Sequence, residues 1–100
     1  MEDHMVKHIV FFKFLEGKRE SDLDLLISKL RALPGKIDFI RSYEVGADIL
    51  RAGNSYDVAL VSSFDSIDDL LKYKVHPAHE EFVLYLKTVC EPVKAVDYEI

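Results

Sequence analysis

The histidines carry most of the chemical potential of this chain, and two of them lie three positions apart in the segment His76-Pro77-Ala78-His79. Pro77 suits the first position of a helix, where its missing N–H costs nothing. His79 then falls in the first turn, near the positive end of the helix dipole, where an imidazolium is disfavoured. A histidine held neutral at physiological pH is a competent general base. Tyr73, on the preceding helix, would donate a hydrogen bond to a carbonyl or enolate oxygen, where negative charge develops. The same residues have a plainer reading: His76 caps free backbone groups, His79 fills a gap over a sheet, and Tyr73 is core with its hydroxyl at the rim. His8 shares a strand face with Val10 and Phe12 and is either a satisfied core histidine or one wall of a pocket. Asp57, if inward, would hold a histidine by a hydrogen bond; if outward, it only solvates a strand face.

Other chemistries find less support. A metal set assembled from His8, His76, His79 and Asp57 or Glu80 has one histidine at a helix boundary and no third ligand fixed by local spacing, so neither metal nor organic cofactor is expected. Cys90, the one cysteine, cannot pair within the chain and is read as packing near a helix end, where the dipole opposes a thiolate. The glycines at 17, 35, 46 and 53 are scattered and build no phosphate loop. His4 sits near the terminus and carries no argument. With 13 Lys+Arg against 18 Asp+Glu, a net charge of −5 and a pI near 5.3, the chain lacks the basic footprint of a nucleic-acid or membrane-surface binder. Its N-terminus has no signal-peptide pattern and no run is long and apolar enough to span a bilayer, which makes the cytoplasm the expected compartment.

One hundred residues make one domain, 1–100, with room for a single core. Met5 to Phe14 reads as a strand, apolar on both faces in its middle, which predicts a sheet covered twice. Ser21 with Asp24 resembles a capping box, and Leu23, Leu26, Ile27, Leu30 and Leu33 follow at helical spacing up to Pro34-Gly35. Strands are expected over Phe39 to Ala47 and Tyr56 to Phe64, the latter central in the sheet. Asp65-Ser66 with Asp69 starts a short helix through about Lys74, and Pro77 starts another with Phe82, Tyr85, Leu86 and Val89 as its stripe. Val93 to Glu99 closes the chain as a strand. The order β-α-β-β-α-α-β is that of a ferredoxin-like α+β domain with a four-stranded antiparallel sheet. Three helices on one face leave apolar residues on the other, and a homodimer is the economical cover.

Five segments carry a resemblance beyond pattern: Val6 to Phe14, Leu33-Pro34-Gly35-Lys36-Ile37, Tyr56 to Val61, Tyr73 through His76-Pro77-Ala78-His79, and Val96-Asp97-Tyr98-Glu99. Together they resemble the stress-responsive A/B barrel (Dabb) family over nearly the whole chain. The resemblance implies a dimeric α+β barrel in which two sheets pack face to face. It also implies a range of roles, from plant heat- and stress-responsive proteins to a plant polyketide cyclase. In that cyclase a histidine of the His-Pro-Ala-His segment and a tyrosine on the preceding helix promote aldol closure without a cofactor. Those positions here are His79 and Tyr73, with His8 as the strand histidine. A further pocket histidine of the cyclase corresponds to Asp57, a departure that separates this chain from the cyclase's own substrate. Two functions are therefore expected. One is a cofactor-free enzyme or binder of an apolar carbonyl compound, with His79 as base, Tyr73 as donor, and His8, Asp57 and His76 around the pocket. The other is a non-enzymatic, stress-associated homodimer.

Overall fold

The computed structural model describes residues 5–100, so His4 lies outside the described residues. The elements run β1 (Val6–Phe12), α1 (Lys18–Ala32), a 3-10 turn (Leu33–Gly35), β2 (Ser42–Ala47), β3 (Val58–Phe64), α2 (Ile67–Val75), α3 (Pro77–Val89) and β4 (Lys94–Glu99). The strands form one antiparallel sheet in the order β2-β3-β1-β4, which puts β1 and β3 at its centre. This is the expected ferredoxin-like arrangement. Each strand is shorter than the pattern suggested, because pairing stops where the chain leaves the sheet: Phe14 makes only an isolated bridge to Cys90.

Alternation along β1 decides the two faces. Val6, His8, Val10 and Phe12 are buried under the helices, while Phe11 on the opposite side is 45% exposed. Directly opposed residues of antiparallel strands share a face. On the open side the middle row across the sheet is therefore Glu44, Val61, Ile9 and Val96, and the next row is Gly46, Ala59, Phe11 and Lys94. Under the helices the matching row is Tyr43, Ser62, His8 and Asp97.

The apolar stripe of α1 buries Leu26 and Leu30 fully, and Leu33 continues it into the turn. Each such leucine contributes about 1.5–3 kcal/mol relative to an exposed one. The start of α1 differs from expectation. Lys18 is already helical behind Gly17, whose φ of 80° lets the chain turn sharply into the helix, and the Ser21 hydroxyl donates to the Lys18 carbonyl instead of capping the end. Ser66 does cap α2, accepting from the Asp69 N–H at 3.1 Å. Among the described residues no helix is long and apolar enough to cross a membrane.

Candidate functional site

His76 organises the junction from which the site hangs. A residue before proline is kept out of the α region, so His76 is extended (φ −65°, ψ 138°), ends α2, and begins α3. Its Nδ1 accepts from the Ala78 N–H at 3.0 Å, an N-cap bond that occupies the imidazole. The turn brings Tyr73 from the last turn of α2 against His79 in the first turn of α3, with ring centroids 4.5 Å apart.

Between sheet and helices lies a cavity of about 510 Å³. Val10, Phe12 and Leu60 form its floor, Phe82 and Leu86 its roof, and His8, Tyr73 and His79 also line it. Pro92 and Val93, with the exposed Lys74, Lys87 and Glu91, line its rim. Cys90 borders it too, with burial pushing its thiol up to about 11, so it behaves as an apolar wall.

The two cavity histidines are held differently. His79 Nδ1–H donates to the Lys74 carbonyl at 3.1 Å, which leaves Nε2 with the free lone pair. Burial holds the His79 pKa below its ordinary value, partly offset by that carbonyl, and the nearby His8 lowers it further. The His79 imidazole is thus neutral at neutral pH. His8 Nδ1–H donates to the Asp97 carboxylate at 2.5 Å, across the β1–β4 pairing. The His8 ring lies 5.9 Å from that of Tyr73.

Tyr73 is 1% exposed, and its hydroxyl meets that of Tyr43 at 2.9 Å. Burial pushes Tyr73 up to about 12 while Tyr43 draws it back; Tyr43 is raised further, first by burial and then by Tyr73. Either hydroxyl can donate in this pair; with Tyr43 as the donor, the Tyr73 proton is free for another acceptor.

Two expected pocket residues do not line the cavity. His76 is spent on the helix junction. Asp57 is buried elsewhere, accepting from the Phe14 N–H at 2.8 Å and from the Arg51 guanidinium at 3.0 Å. Arg19 Nε lies 3.1 Å from the same carboxylate, close enough for charge attraction although its N–H is not aimed for a hydrogen bond. Asp57 therefore ties the end of β1 to α1 and the β2–β3 connection. Among the described residues no three His, Cys, Asp or Glu side chains gather as a metal would require.

The sequence matches the model of the stress responsive A/B barrel domain over residues 6–100. The chain belongs to that family. It is 34% identical over 97 residues to an uncharacterised protein of Streptomyces coelicolor, covering 95% of this chain and 99% of that one. A stress-response A/B barrel domain-containing protein of Arabidopsis thaliana is 28% identical, with 94% and 85% covered. Among solved structures, a dimeric protein of unknown function and ferredoxin-like fold from Bacteroides fragilis is 36% identical, covers 96% of both chains and superposes with a TM-score of 0.86.

Within this A/B barrel domain, two site residues escape a reading of the sequence. Tyr43 and Asp97 reach His8 and Tyr73 only through strand register, which places four strands' residues in one row beneath the helices. The available signal is alternation in the last strand, which puts Asp97 on the same face as the cavity-lining Ala95.

Proposed function

We propose that this A/B barrel protein works in the cytoplasm as a homodimer whose cavity takes an apolar carbonyl compound, with His79 as general base and Tyr73 as hydrogen-bond donor. The observation that carries this reading is the fixed tautomer of His79: its Nδ1–H is committed to Lys74, and its Nε2 is the free base beside Tyr73. In such a step Nε2 removes a proton from the carbon α to the carbonyl, and the enolate oxygen accepts from the Tyr73 hydroxyl. The enolate carbon then bonds to a second carbonyl carbon, and the alkoxide so formed takes its proton from the His79 imidazolium. The apolar walls favour a largely apolar substrate. Support for the dimer comes from the open face, where Phe11, Val96 and Tyr98 are 45%, 58% and 46% exposed, and from the dimeric relative.

A second reading, a non-enzymatic stress-associated homodimer, is favoured by the 1% exposure of Tyr73, which a substrate would have to reach. Ligand-observed NMR with a panel of aromatic and poly-β-keto carbonyl compounds separates the two. Binding to the wild type that weakens in a folded His79→Ala/Tyr73→Phe variant supports the enzymatic site and calls for an assay of C–C closure. No binding across the panel leaves the structural reading.

A further inference from the structure

We propose that a second copy of this chain packs its sheet on the open face with its β4 over this chain's β2, and that the Ile49–Leu50 tip of each copy closes the mouth of the other's cavity. The inference rests on the homodimer reading above and adds an orientation and a shared site.

Orientation follows from charge. Two copies that pack aligned sheets face to face, about 10 Å apart, can relate by a two-fold axis across the strands or along them. With the axis across the strands, β2 faces β2 and the exposed Glu44 of the middle row meets its own copy, a like-charge contact in the middle of an edge. With the axis along the strands, β2 lies over the partner's β4. Glu44 then sits over the partner's Val96, one row from the partner's Lys94, and the central apolar residues Ile9 and Val61 remain in contact. Only this second arrangement brings opposite charges together.

The tip follows from the same alignment. After β2 the chain turns at Asp48, whose carboxylate accepts from the Arg51 N–H at 2.7 Å. Arg51 adopts a left-handed φ of 55° and its guanidinium reaches Asp57 at 3.0 Å. This turn is pinned at both sides, yet it presents Ile49 and Leu50 at 94% and 78% exposure. Two large apolar side chains held out by a braced turn call for a cover. The tip lies beyond the row of Gly46 and Lys94, and beyond the partner's Lys94 at that level come the partner's Pro92 and the partner's Val93, which line the rim of the partner's cavity. Within one chain the two sites are at opposite edges of four strands, roughly 14 Å apart across the sheet. A cavity closed this way has Ile49 and Leu50 of the partner copy as its outer wall, so its ligand ends in an apolar group at the mouth and is shielded from water there.

A cysteine pair tests the geometry. In a Cys90→Ala background, Leu50→Cys with Val93→Cys is checked for its dimeric state by sedimentation and then oxidised mildly. The span within one chain exceeds the ~7 Å limit of a disulfide, so a bond between these positions is a bond between copies. The expected result is a covalent dimer on a non-reducing gel that dithiothreitol reverses, absent from either single-cysteine protein. If the double variant fails to fold, mixing the two single-cysteine proteins carries the same test. A dimer that does not cross-link, or one that cross-links with Leu50→Cys alone, overturns the orientation while the homodimer stands; a monomer overturns both. Closure is read separately with anilinonaphthalene sulfonate, using the part of its binding that a Leu86→Trp plug abolishes. Ile49→Ser/Leu50→Ser should weaken that binding about tenfold in the intact dimer, and unchanged binding refutes the shared cavity.

Discussion

Replacing Tyr43 with phenylalanine removes one hydroxyl from a pair whose other member is 1% exposed and has Tyr43 as its hydrogen-bond partner at 2.9 Å. A buried polar group left without its partner costs about 1–3 kcal/mol, whereas removing both partners together is close to neutral. Tyr43→Phe and Tyr73→Phe should therefore each lower stability by about 1.5 kcal/mol, which for a chain of this length moves Tm by roughly 6–12 °C. The double variant should lose no more than either single one. That leaves a coupling of about 1.5 kcal/mol in a double-mutant cycle. Urea unfolding of the four proteins, at one protein concentration and pH 7, measures all of these quantities. Additivity within about 0.5 kcal/mol would refute the reasoning, because it would mean that the two hydroxyls do not bond to each other.

Three further outcomes follow from the same geometry. Because His79 is held below its ordinary pKa of 6.5, its contribution to stability is complete above that value and is lost as pH falls through the folded-state pKa. Urea midpoints between pH 7.5 and 5 should fall less steeply in His79→Gln, and an unchanged slope would show that His79 is not held neutral. Asp57→Asn should cost about 3 kcal/mol, the low end for a broken buried pair because Arg51 is 47% and Arg19 28% exposed. It should leave the NMR titration of His79 unmoved, since Asp57 lies outside the cavity; a shift in that titration would contradict this placement. Glu44→Lys should weaken the dimer about a hundredfold by facing like charges, and Lys94→Glu added to the same chain should restore it, both read by sedimentation equilibrium. Failure of the second change to rescue the first would count against the pairing of β2 with the partner's β4.

What the sequence discloses depends on how far apart the partners lie along the chain. Tyr73, His76 and His79 are set by local helical spacing and one proline, so their junction is legible before any fold is known, but the expected pocket place of His76 fails because its Nδ1 is taken by the capping bond to Ala78. The two-sided apolar pattern of β1 likewise exposes the open sheet face, because alternation needs no partner to be read. Ser21 fails where Ser66 succeeds for a reason just as local. Gly17 turns the chain into α1 one turn earlier and leaves Ser21 inside the helix.

The bond between His8 and Asp97 is different in kind, since it joins positions 89 apart and exists only in one register of β1 on β4. A slip of a single residue would send Asp97 to the open face and set His8 free. Nothing near Asp97 in the sequence marks it as a partner of His8, and in the single chain all six residues of its strand are exposed. Asp57 misleads in the opposite sense, as a carboxylate at the start of an apolar strand whose partners are two arginines and a backbone N–H. The placement of Tyr73 against His79 on the helices is thus written in spacing, while the polar row beneath it is written in register. The same distinction governs Ile49 and Leu50: their exposure is a property of one copy, and their use is a property of two.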